Sequence, residues 1–101
     1  MIDVIFRETM TSFGDGFMAV FPEDPANRGE LEIITFCFDK YDRPIFEPYG
    51  AASLQYVLNQ KIIHKNDERI PKLVEAIEER VGDKVVVKEK INYDKLDWYW
   101  L

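Results

Sequence analysis

The run Leu31-Glu32-Ile33-Ile34-Thr35-Phe36-Cys37-Phe38 constrains this chain more than any other stretch. Its β-branched and aromatic residues mark it as a strand. Alternate side chains of a strand point to opposite sides of a sheet. Ile34, Phe36 and Phe38 therefore share one face, and Leu31, Ile33, Thr35 and Cys37 the other. Both faces carry apolar groups. A sheet built around such a strand needs cover on both sides, from its own chain or from a partner.

Three further runs read as strands. Ile2 to Arg7 sets Ile2, Val4 and Phe6 against Asp3, Ile5 and Arg7. Phe17 to Phe21 is apolar throughout and closes at Pro22. Lys84 to Ile91 places Val85, Val87 and Ile91 on one side and Lys84, Lys88 and Lys90 on the other. Gly14-Asp15-Gly16 offers the turn between the first two strands, and the polar stretch from Pro22 to Gly29 a loop to the third. Three strands in succession joined this way predict an antiparallel meander.

Two helices follow. Ala51 to Gln60 brings Leu54, Val57 and Leu58 to one side, and so short a helix depends on packing. Residues 69–81 carry the stripe Ile70, Leu73, Val74, Ile77 and Val81, with Glu75, Glu78, Glu79 and Arg80 turned to water. Asn66-Asp67-Glu68 supplies caps at its start, Pro71 belongs in its first turn, and Gly82 closes it. The expected fold class is α+β: an antiparallel three- to four-stranded sheet with two helices, in the order β-β-β-α-α-β. Residues 1–91 form a single domain and residues 92–101 an aromatic C-terminal tail. If both helices cover one face of the sheet, the tail is the candidate cover for the other.

The formal charge of −6 is unevenly spread. Residues 1–60 hold ten acids against four bases, and residues 61–101 nine of each. Binding to nucleic acid or an anionic membrane needs clustered Lys and Arg, so neither is expected. Lys84, Lys88 and Lys90 fit better as charges that keep a sheet edge from aggregating. No apolar run approaches the ~20 residues of a membrane span, and the N-terminus lacks the basic start of a leader. The expected location is the cytoplasm, where a free Cys37 stays reduced.

One cysteine and one histidine exclude a multi-Cys or multi-His metal site and any internal disulfide. Cys37, within a strand-like run beside Phe36 and Phe38, reads as a small core residue. A thiol nucleophile would need a base, and the sole imidazole, His64, lies in the connector between the helices. Asp39-Lys40-Tyr41-Asp42 lacks the ligand spacing of a calcium loop and reads as a turn. Gly14-Asp15-Gly16 joins two strands, so no helix N-terminus follows it to hold a phosphate. No catalytic residue, metal or cofactor is expected, and whether the chain is an enzyme stays open, with the weight against it.

Two regions invite binding. The loop Pro44 to Gly50, with Phe46 and Tyr49, follows directly on Tyr41. Asp39, Tyr41, Arg43 and Tyr49 are the candidate ligand groove, and Tyr56 is expected along the same edge. The tail holds both tryptophans; extended, it puts Leu96, Trp98 and Trp100 on one side. Tyr93, Leu96, Trp98, Tyr99 and Trp100 are the candidate partner-binding residues, because Trp and Tyr are enriched at binding hot spots. They pack on the chain's own sheet, on a second copy in a weak homodimer, or on another protein.

The residues Val4-Ile5-Phe6-Arg7, Gly16-Phe17-Met18-Ala19-Val20-Phe21-Pro22 and Pro25-Ala26-Asn27 resemble a family of small uncharacterised bacterial proteins. Those chains begin V-I-F-R, continue A-x-F-P-x-x-P-A, and end with an amphipathic helix and a Val-rich strand. The resemblance spans about residues 4–88. It departs after Cys37, where Phe38-Asp39-Lys40-Tyr41 stands in place of His and Gln. It implies the same fold and supplies no activity. The function expected from the whole sequence is a non-enzymatic protein-interaction module that binds and modulates another protein. A phage or mobile-element anti-defence factor is one concrete form of it. The alternative is a small ligand-binding or enzymatic domain using the Tyr41–Tyr49 loop.

Overall fold

The computed structural model describes residues 1–27 and 30–90. Strands β1 (Ile2–Thr11), β2 (Gly14–Asn27) and β3 (Glu30–Phe38) form the expected antiparallel meander. The sheet is larger than three to four strands, because β3 and β1 each leave a long edge whose backbone groups need partners. Two short strands close the edge of β3: β4 (Pro44–Phe46) along Phe36–Phe38, and β5 (Gly50–Ser53) along Glu30–Ile33. Two more close the edge of β1: β6 (Lys61–Ile62) beside Arg7 and Glu8, and β7 (Val85–Lys88) beside Ile2–Ile5. Among the described residues the sheet thus has seven strands, and the observed order is β-β-β-β-β-α-β-α-β. It is not wholly antiparallel either. Helix α2 (Ile70–Val81) carries the chain back over the sheet, so β7 enters parallel to β1.

Three local expectations change for physical reasons. The first turn is Ser12-Phe13, closed by Thr11 Oγ1 donating to the Gly14 carbonyl at 2.8 Å and accepting the Phe13 N–H at 3.1 Å. Gly14 takes the positive φ of 113°, and Gly16 already lies within β2. The stretch after Pro22 is no loop as far as Asn27. β2 continues against β3 through register shifts at Phe21/Pro25 and Pro25/Asn27, the kind of bulge that admits prolines lacking an N–H. Finally, the small residues from Gly50 to Ser53 complete the edge of β3 instead of opening a helix. Ser53 then caps a shorter α1 (Leu54–Asn59), its Oγ accepting the Tyr56 N–H at 3.1 Å.

α2 matches its pattern closely. Pro71 sits in the first turn, and Gly82 ends the helix at φ 74°. Arg69 stands at the N-cap, and its side chain makes no capping bond. Asp67 instead accepts the Arg69 N–H at 2.9 Å and grips its guanidinium through both oxygens, which holds the carboxyl down at about 2. Arg69 also reaches Glu8 at 3.5 Å and lies over the Phe17 ring.

The two helices lie on opposite faces of the sheet, which corrects the idea that both cover one. Under α2, Val4, Phe6, Ala19, Phe21, Ile34 and Phe36 meet Leu73, Ala76 and Ile77. Under α1, Ile5, Met18, Val20, Leu31 and Ile33 meet Val57 and Leu54. Each face of the doubly apolar β3 is thereby covered in cis by its own helix. Tyr93, Leu96, Trp98, Tyr99 and Trp100 lie outside the described residues, as does the expected end of the last strand at Ile91.

Candidate functional site

Between β3 and β4 the chain reverses over Asp39 to Arg43. Asp39 organises the turn. Its Oδ1 accepts the Tyr41 N–H at 2.8 Å and the Arg43 N–H at 2.9 Å, and its Oδ2 accepts Arg43 Nε at 2.9 Å. The Asp39 N–H donates to the Arg43 carbonyl and the Asp42 N–H to the Asp39 carbonyl, both at 2.9 Å. The Arg43 N–H, followed by the Arg43 side chain and the Tyr41 N–H, holds the Asp39 carboxyl below its usual range. Asp42 takes φ 68°, a left-handed conformation that Asp tolerates. Pro44 then opens β4 at the rim of the sheet, where a missing N–H costs little.

This turn displays Tyr41. Its side chain is 65% exposed, with Lys40 Nζ 5.1 Å and Arg43 Cζ 5.0 Å from the ring centre. Such contacts contribute ~0.5–1 kcal/mol at exposed sites, enough to bias the ring's orientation.

Beside the turn, α2 forms one wall of a groove of about 250 Å³ lined by Phe38, Asp42, Pro44, Lys72, Glu75, Ala76 and Glu79. Lys72 closes its near end. Its Nζ sits 4.2 Å above the Phe38 ring and pairs with Asp42. Eight residues along α2, or about 12 Å, Arg80 stacks over Phe46 at 5.4 Å and Tyr49 at 5.1 Å. Phe38 belongs to an aromatic cluster in which Phe36 contacts Phe17, Phe38 and Phe46, and Phe17 contacts Phe38, with ring centres 5.6–5.9 Å apart.

Asp39, Tyr41 and Arg43 therefore come together in one turn, while Tyr49 stands at the other end of the seam between β4 and α2. Tyr56 belongs to α1 on the opposite face of the sheet and does not line this edge. Sequence reasoning missed Lys72, Glu75 and Glu79 as groove residues, while Glu75, Glu79 and Arg80 are exposed as it expected. The signal for the groove was the helical spacing that sets Lys72, Ala76 and Glu79 beside the buried stripe.

Cys37 is buried, on the face of β3 away from the groove. His64 follows β6, three strand spacings or about 14 Å across the sheet, and pairs with Glu89 at 3.6 Å. The thiol and the imidazole are not partners. Among the described residues, no group of three or more His, Cys, Asp or Glu is placed to hold a metal ion, and no helix is long and apolar enough to cross a membrane. Comparison of this chain with known protein families, with curated proteins and with solved structures returns no match.

Proposed function

We propose that this chain is a non-enzymatic protein-interaction module that binds and modulates another protein, and that the turn between β3 and β4 is one of its contact surfaces. The supporting observation is the presentation of Tyr41, a largely exposed aromatic ring on a turn fixed by five hydrogen bonds around Asp39. Binding costs affinity for every side chain and loop that must be ordered, so a turn already ordered saves that cost. Tyr and Arg are also the residue types that dominate interface energies. The aromatic tail, with Tyr93, Leu96, Trp98, Tyr99 and Trp100, is a second contact in this reading, carried by composition alone.

The test is affinity capture from the native host, comparing the full chain with Tyr41→Ala and with Glu68→Ala as a surface control. A specific protein should be retained by the parent and the control and lost with Tyr41→Ala, at unchanged melting temperature. Equal retention by all three would remove the turn from the interface. A second reading, a small-ligand site, draws on the groove beside Lys72 and Glu75. It predicts a rise in melting temperature with one metabolite of a panel, abolished by Lys72→Ala.

A further inference from the structure

β7 is the outermost strand on its side of the sheet and, among the described residues, pairs with β1 alone. The Ile2 N–H donates to the Lys84 carbonyl at 3.0 Å, which fixes the phase of this parallel ladder. Residues 84, 86 and 88 turn their backbone groups toward β1, and Val85 and Val87 turn theirs outward. The outward N–H of Val85 is taken by Glu78 Oε2 at 3.0 Å. The Val85 carbonyl and both backbone groups of Val87 remain on the rim without a partner among the described residues.

The side chains along this rim are distinctive for so acidic a chain. A shallow groove of about 460 Å³ is lined by Lys65, Val86, Val87, Lys88, Glu89 and Lys90. Glu89 is already engaged: it accepts the Lys65 N–H at 2.7 Å and pairs with His64, which holds its carboxyl below the usual range. Lys65, Lys88 and Lys90 are exposed, flanking the half-buried Val86. Two copies of this rim paired across a two-fold axis would set these lysines against each other, so the charge disfavours a second copy.

We propose that the β7 rim accepts an extended acidic segment of a partner protein as an added strand. The Val87 backbone and the Val85 carbonyl supply main-chain bonds, Val86 an apolar contact, and Lys65, Lys88 and Lys90 the charge that selects acidic side chains. This surface lies across the sheet from the Tyr41 turn, and the inference stands whether or not that turn binds anything.

The experiment uses the full ¹⁵N-labelled chain and a short peptide alternating glutamate and valine. In the free chain the Val87 amide should exchange rapidly with solvent; the peptide should slow it and shift the Val87 and Glu89 resonances saturably. Lys88→Glu with Lys90→Glu, both on exposed side chains, should weaken binding at least about tenfold at unchanged melting temperature. Protection of Val87 in the free chain would overturn the proposal. If independent of concentration, it would assign the rim to the chain's own C-terminal residues; if concentration-dependent, to a second copy. Equal binding of a proline-interrupted peptide of the same charge, equal competition by oligothymidylate, or no peptide binding would overturn it too.

Discussion

The two faces of the sheet are covered by helices of very different length, and the interiors beneath them differ accordingly. Under the twelve-residue α2 the cover is broad: four phenylalanines pack ring against ring, and Arg69, Lys72 and Arg80 lie over the outer rings. Under the six-residue α1 the apolar patch is smaller, reaching from Leu31 and Ile33 to Ile5 and Met18. Beyond it the same face turns polar. Arg7 Nη1 donates to the Gln60 carbonyl at 2.9 Å, and Thr9 Oγ1 shares a hydrogen bond with Gln60 Oε1 at 3.1 Å. A short helix covers only a few strands' width of apolar surface, and hydrogen-bonded polar groups fill the interior where its reach ends.

Substitutions under the two helices should separate these faces. Leu73→Ala, beneath α2, should cost ~2–5 kcal/mol in urea unfolding, as large-to-small changes in a closed core do. Val57→Ala, beneath α1, removes two methyl groups and should cost about 1.5 kcal/mol. A larger loss at Val57 than at Leu73 would reverse the ranking of the faces. Gly16→Ala tests the polar end of the α1 face. An added Cβ would lie 2.4 Å from the Phe36 carbonyl oxygen and 2.7 Å from Thr11 Cγ2. The strands must separate to admit it, at ~1–3 kcal/mol; an unchanged urea midpoint would show that this end of the sheet is loosely packed.

The smallest effect concerns the entry to α2. Hydrogen bonds from the Arg69 side chain, then its backbone N–H, lower the Asp67 pKa from 3.8 to about 2. A carboxyl depressed on folding stabilises above its unfolded pKa, and the contribution disappears as the pH falls through the folded one. The Asp67 contacts should therefore weaken from about pH 4 downward and be gone below about pH 2. In acid titrations followed by circular dichroism, Asp67→Asn should show less stability loss than the parent across that window. Identical profiles would mean that Asp67 does not anchor the helix.

Much of this fold is legible in the residues. The meander, α2 with Pro71 and Gly82 at its ends, and the buried Val4, Phe6, Ile34, Phe36 and Ile77 follow from period, turn chemistry and composition. The two-sided apolarity of β3 also announced that both faces need cover. What it did not announce was the coverer. Leu54 and Val57 give a helical spacing, yet nothing local says which side of a sheet a six-residue helix will choose. The short edge strands were missed for a related reason. Pro44–Phe46 and Gly50–Ser53 are strands because β3 has unpaired backbone groups, a demand set by a distant partner. In the candidate site, Asp39-Lys40-Tyr41-Asp42 was legible as a turn. The wall that α2 adds was not, since Glu75 and Glu79 line it from positions that read as solvated.

Native-state hydrogen exchange tests the inequality of the two faces most directly. Amides of α2 from Val74 to Val81 should exchange only through global unfolding, while those of α1 at Val57 to Asn59 should open at a distinctly lower free energy, with α1 lifting as a local unit. Equal protection of both helices would contradict the account, because it would mean that the short helix covers its face as firmly as the long one.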